Sequence, residues 1–160
     1  MFYTKPIERL SATRRTLVHS MLNIDIDTLV PHRRPLRLID EILAISDNSA
    51  TTVATVTPAW PTVTKGATHT LVLIELVAQT AAVIGGYKAL MDPSDGRVKK
   101  GMLVGIKHAA FSMDTIPLDT RITTCATTRV LLENFKEITG VATIGDQTIA
   151  EMTLQGVQSE

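Results

Sequence analysis

The stretch Leu71-Val-Leu-Ile-Glu-Leu-Val-Ala-Gln-Thr-Ala-Ala-Val-Ile-Gly-Gly-Tyr-Lys-Ala-Leu90 is the longest apolar run in the chain. Apolar residues fall on all sides of a 3.6-residue period, which predicts a helix over about residues 69–90, buried on most of its surface. Thr68 or Thr70 has the side chain to cap it. Gly85 and Gly86 weaken its end, and Asp92-Pro-Ser-Asp-Gly96 is a turn. Glu75, Gln79, Thr80 and Lys88 interrupt the run. An unpaired carboxylate or amide is costly in lipid, so the stretch reads as a core helix and no membrane partner is expected.

On either side the pattern changes to strands. Leu36–Ile45 alternates imperfectly, Asp47-Asn48 supplies turn chemistry, and Ser49–Thr57 is dense in Thr and Val, so the two form a hairpin. Residues 58–66, with Pro58, Trp60, Pro61 and Gly66, form a loop. Beyond the turn at 92–96, strands are expected at Gly101–Met113, Asp119–Leu131, Lys136–Ile144 and Gln147–Val157, with Gly145-Asp146 turning the last pair. Hairpin, long buried helix, then antiparallel strands is an α+β layout with the helix on one face of the sheet. Upstream, Leu10, Leu17, Val18, Met21 and Leu22 are spaced for a short amphipathic helix over about 8–22.

Composition narrows the function classes. With 160 residues, 44% hydrophobic and 20% charged, the chain suits one domain over 1–160 with a substantial core. Sixteen basic and sixteen acidic residues balance, so no electrostatic footprint points to nucleic acid. Cys125 is the single cysteine, which excludes an intrachain disulfide, and no Cys/His spacing suggests a metal; no cofactor is expected either. Met1–Leu10 lacks the apolar core of a signal peptide, and a reducing cytoplasm is the expected compartment.

Three stretches resemble the FabZ/FabA-type 3-hydroxyacyl-ACP dehydratases of the hotdog superfamily (ACP, acyl carrier protein). Leu29-Val-Pro-His-Arg-Arg-Pro-Leu-Arg-Leu-Ile-Asp40 resembles their opening Leu-Pro-His-Arg-x-Pro-x-x-Leu-x-Asp. Ile74-Glu-Leu-Val-Ala-Gln79 resembles Ile-Glu-Ala-x-Ala-Gln. Gly105-Ile-Lys-His-Ala-Ala-Phe111 with Ile116-Pro-Leu-Asp119 resembles Gly-Ile-x-x-Ala-x-Phe and Pro-Gly-Asp. Gly140-Val-Ala-Thr143 and Ala150-Glu151 fit the last hairpin. The strand at Met102–Gly105 and the Glu-Leu-x-Ala-Gln-Thr form of the helix are similar to the divergent ApeP-like branch. The resemblance implies a hotdog fold, with the long helix wrapped by the sheet. It also implies a homodimer, often a trimer of dimers, and an acyl-ACP or acyl-CoA thioester as substrate. In that pattern a His and an acidic residue contributed across the interface remove water, and backbone N–H groups at the helix start face the thioester carbonyl.

One departure bears on the chemistry. The family's catalytic His opens a His-Phe-Pro stretch upstream of the helix Glu; here Ala59-Trp-Pro-Thr62 occupies that place, with Pro61 at the His position and no His between Arg33 and Thr68. Glu75, a carboxylate in an apolar helix, is the first candidate for acid–base work. His69 is the nearest substitute histidine in sequence and His32 the second. Each has a blander reading, as a loop or structural histidine. Gln79, at i+4 from Glu75, shares its face, and Thr70, Leu71 and Gln79 are the expected substrate-binding positions. Thr70, where the family has Gly, stands to obstruct the approach of a carbonyl. Arg33 and Arg34 read as solvated loop charges. Three functions compete: a dehydratase of 3-hydroxyacyl thioesters, a hotdog thioesterase in which the helix carboxylate activates water, and a non-catalytic acyl-binding subunit paired with an active paralogue.

Overall fold

The computed structural model describes residues 24–92, 94 and 101–158. The helix expected over 8–22 lies outside them. In chain order the elements are α1 (Ile26–Leu29), β1 (Glu41–Ile45), β2 (Ser49–Thr55), β3 (Val63–Thr64), β4 (Ala67–His69), α2 (Val72–Met91), β5 (Gly101–Phe111), β6 (Thr115–Pro117), β7 (Arg121–Leu132), β8 (Phe135–Ile144) and β9 (Gln147–Gln158). Six strands form one antiparallel sheet in the order β1-β2-β7-β8-β9-β5. The long helix α2 lies across one face of it, against β2, β7 and β8. This is the α+β hotdog arrangement.

Strand alternation places the core. On β7, Ile122, Thr124 and Ala126 are buried toward the helix, and on β8 Gly140 and Ala142 do the same. From α2 come Leu73, Leu76, Val77, Val83 and Ile84, all essentially without exposure. Small residues beneath the helix let it sit close. A methyl built on Gly140 would stand 2.3 Å from Cγ1 of Val77, so only glycine admits this approach. A similar contact holds α1 to α2, where a methyl on Gly86 would stand 2.0 Å from the Leu29 carbonyl oxygen. Inside the core, Thr80 Oγ1 donates to Leu76 O at 2.7 Å and meets Thr52 Oγ1 at 2.8 Å, tying the helix to β2. The length and hydropathy of α2 would suit a membrane span, yet it is the centre of a packed layer.

The turns follow their residues. Gly145 has φ +57° in the two-residue turn before β9, and Ile144 pairs with Gln147 across it. The structure departs from the expected elements ahead of β1 and at the start of α2. Leu36–Asp40 is a loop, and the first strand starts at Glu41. The helix begins at Val72 instead of 69, because residues 67–69 pair with β3 and β6 in a second, three-stranded sheet, β3-β4-β6. Their backbone groups are thereby committed to strand ladders. Neither threonine caps the helix. Thr68 Oγ1 bonds Thr62 Oγ1 at 2.7 Å, and Thr70 Oγ1 donates to Asp114 O at 3.3 Å. The N-cap residue is Leu71, which has no side-chain cap, and its amide donates to Nδ1 of His69 at 3.2 Å.

On the face of the sheet away from the helix, Glu137 of β8 joins Lys107 of β5 at 3.2 Å and Arg129 of β7 at 3.0 Å. The hydrogen bond from Lys107, assisted by both positive charges, holds the Glu137 carboxyl below the usual carboxylate range.

Candidate functional site

Glu75 lies in the first turn of α2, and its side chain is 46% exposed. Oε1 is held from two directions. Gln79, one turn later on the same face, donates from Nε2 at 2.7 Å. His32 brings Nε2 to 3.3 Å. The two residues of that pair are far apart in sequence and come from different segments of a single chain. Oε2 of Glu75 has no hydrogen-bond or ion-pair partner among the described residues.

The His32 segment is shaped to make this approach. Pro31 and Pro35 exclude regular helix, and the Arg34–Pro35 bond is cis. Arg33 folds back, its Nη1 donating to Val30 O and to His32 O, each at 2.9 Å. Arg34 pairs with Asp40 Oδ1, while Asp40 Oδ2 accepts from Thr55 N at 2.7 Å, so the end of the loop is pinned to β2. Leu38 and Ile39 enter the core. The His32 side chain is 34% exposed; its Nδ1 is buried and has no hydrogen-bond partner among the described residues.

Gln79 links the loop to the helix. It is fully buried. Besides its bond to Glu75, Nε2 donates to Leu36 O at 2.8 Å, and Oε1 accepts from Leu38 N at 3.0 Å. Gln79 is thus engaged within the chain and does not face a ligand, unlike the substrate-binding position expected for it.

The other expected residues take separate places. His69 is exposed, makes no ion pair with Glu75 and caps the Leu71 amide. Thr70 is buried, and its amide and hydroxyl both turn to Asp114 O, so its side chain does not project where a carbonyl would approach. Leu71 is 56% exposed one turn before Glu75 and offers apolar surface beside it, as does exposed Leu36. Of the amides at the helix start, those of Thr70, Leu71, Leu73 and Ile74 have acceptors, which leaves Val72 N–H. Pro61 stays exposed in the loop before β3. Among the described residues, no three His, Cys, Asp or Glu side chains gather as metal ligands.

A carboxylate and an imidazole in contact, both open to solvent on one side and bordered by exposed leucines, can move protons on a bound apolar molecule. Sequence reading named both residues but ranked His69 above His32. The Pro-His-Arg motif is the signal for His32 in the sequence, and the folded loop is what sets that His, and not His69, beside the helix Glu.

Comparison with known proteins agrees with this architecture. A family model for ApeP-like proteins (ApeP dehydratase) matches residues 24–160. Among solved structures, the dehydratase heterocomplex ApeI:P from Xenorhabdus doucetiae superposes with TM-score 0.77 at 19% identity, covering 86% of this chain and 92% of that one. Cj0977, a sigma28-regulated virulence protein from Campylobacter jejuni, gives 0.62 at 15% identity, covering 97% and 96%. A hypothetical thioesterase with coenzyme A from Streptococcus pneumoniae gives 0.55 at 14%, covering 74% and 84%. No curated protein matches the sequence. At these identities the structures speak for the fold, and the family match over 24–160 decides membership: the chain belongs to the ApeP-like dehydratase family of hotdog proteins.

Proposed function

We propose that this protein dehydrates 3-hydroxyacyl thioesters, with Glu75 and His32 as its acid–base pair. The observation that carries the reading is the 3.3 Å contact between His32 Nε2 and Glu75 Oε1 at the solvent-open start of an otherwise apolar helix. Elimination breaks the α-carbon C–H bond, and its electrons form the Cα=Cβ double bond. The C–O bond breaks, and the hydroxyl leaves as water after taking a proton. The step is helped by a group that accepts the α-proton and one that protonates the leaving hydroxyl, and two titratable groups in contact can supply both. Exposed Leu36 and Leu71 supply apolar surface for the acyl chain.

The thioester would be carried on ACP or coenzyme A. We infer that the protein works beside a second hotdog chain, a copy or a paralogue. Among the described residues β5 is an unpaired edge of the sheet, and its Met102, Leu103, Val104 and Ile106 are each more than 40% exposed. The neighbouring ApeI:P structure is itself a heterocomplex.

The test is turnover of 3-hydroxyacyl thioesters of several chain lengths on ACP, coenzyme A and a short pantetheine mimic, followed as 2-enoyl absorbance in either direction. Glu75→Ala and His32→Ala should each lower kcat by about 10²–10⁴-fold. Release of free thiol without enoyl product would replace this reading by a thioesterase. No turnover of any kind, alone or with a co-expressed hotdog partner, would leave an acyl-binding subunit.

A further inference from the structure

We propose that Gln79 is a positioning residue that holds the two halves of the Glu75–His32 pair in register; this deepens the acid–base reading above and rests on it. The orientation of its amide is fixed by its surroundings. Nε2 faces two acceptors, Leu36 O at 2.8 Å and Glu75 Oε1 at 2.7 Å, while Oε1 faces the Leu38 N–H at 3.0 Å. Turning the amide over would set oxygen against two oxygens and nitrogen against a donor, so a single orientation satisfies all three contacts. In that orientation Gln79 can only donate to Glu75.

The consequence is mechanical as well as electrostatic. Leu36 and Leu38 belong to the loop that carries His32, and Glu75 sits one turn from Gln79 on α2. One buried side chain therefore binds the backbone on both sides of Arg37 and, with its second N–H, the carboxylate that His32 touches. Glu75 Oε1 is fixed by this bond and by the imidazole, which assigns Oε2 as the oxygen that meets a substrate proton. Gln79 has no exposure and does not touch substrate, so it acts through Glu75. The Gln79 side chain itself is buried, and its bond from Leu38 N is enclosed, so that contact is worth more than at the surface and is not readily replaced by water.

Two variants test this. Gln79→Met keeps the length of the side chain and removes every polar contact. Gln79→Glu keeps an oxygen for Leu38 N–H, and so the anchor of the loop, but turns an oxygen toward Glu75 and Leu36 where the donors were. Thr80→Val serves as the comparison: it removes a buried hydroxyl from the next position of α2, whose partners are Thr52 and Leu76 instead of Glu75. The readout independent of turnover is the ring ¹⁵N shift of His32 at one fixed pH. In both Gln79 variants it should depart from the parent value, and in Thr80→Val it should stay with the parent. If Gln79→Met does not fold, Gln79→Glu carries the comparison.

With a turned-over thioester, the Gln79 variants should lower kcat by about 10–100-fold, the scale of a small misplacement of a reacting group, with KM within about twofold. Thr80→Val should lose stability with kcat unchanged. Parent-like His32 shifts in the Gln79 variants would overturn the positioning role, as would equal loss of kcat in Thr80→Val. A parent that turns over no thioester overturns the dehydratase reading instead, and the ring shifts still decide whether Gln79 sets the pair.

Discussion

Replacing Gly140 by alanine should unseat the helix that carries Glu75. The added methyl would stand 2.3 Å from Val77 Cγ1, 2.6 Å from Cγ2 and 3.0 Å from Cβ. Ordinary carbon–carbon contacts begin near 3.5 Å, so the closest pair is short by about 1.2 Å. Val77 has no exposure, and a β-branched residue in a helix has one favoured rotamer, so its side chain cannot turn away. The strain must be relieved by lifting α2 from β8. Overpacking of this kind costs about 1–3 kcal/mol, and the rigid neighbours place Gly140→Ala near the upper end. With a urea m value of about 2 kcal/mol per molar, the midpoint should fall by about 1–1.5 M.

A double-mutant cycle separates this clash from a general effect on the strand. Val77→Ala alone removes two buried methyl groups and should cost about 2 kcal/mol. In Gly140→Ala/Val77→Ala the new methyl enters the vacated space, so the pair should be little worse than Val77→Ala alone, with a coupling of about 2–3 kcal/mol. The assay is urea unfolding followed by circular dichroism at one fixed protein concentration, since association would shift the midpoint by itself. A Gly140→Ala variant within about 0.5 kcal/mol of the parent would refute the reasoning. So would strictly additive single mutants.

The two adjacent glycines of α2 should behave oppositely in the same assay. Gly86→Ala drives a methyl into the Leu29 backbone and should cost at least about 1–3 kcal/mol, whereas Gly85→Ala meets nothing within 4 Å and should gain about 0.5–1 kcal/mol in helix propensity; equal effects would contradict the packing described. Glu137 makes a pH prediction. Its folded carboxyl lies below its ordinary value, so its contribution is present above the unfolded value and is lost as pH falls through the folded one. Glu137→Gln should therefore lose stability at neutral pH and flatten the acid limb of the stability profile, and an unchanged acid limb would exclude the effect.

Much of the fold was legible along the chain, because the signals are local. An apolar run with helical length, Thr- and Val-rich strands and the Gly145-Asp146 turn each act through near neighbours, and each appears where its residues predict. The boundaries were less legible. Residues 67–69 read as the start of the helix, but pairing with Val63–Thr64 and Thr115–Pro117 turns them into a strand. Thr68 and Thr70 have the chemistry of caps, and distant partners claimed their hydroxyls first.

The candidate site divides in the same way. Sequence alone determined the long apolar helix, the carboxylate within it and the glutamine one turn on, since a 3.6-residue period puts i and i+4 on one face whatever the rest of the chain does. It also showed that no histidine stands at Pro61. Only the tertiary structure decided which histidine meets Glu75. Proximity in sequence favoured His69, but its position just ahead of the helix commits its Nδ1 to the Leu71 amide. His32 arrives because Gln79 captures the backbone at Leu36 and Leu38, a set of contacts spanning more than forty residues that no local propensity encodes.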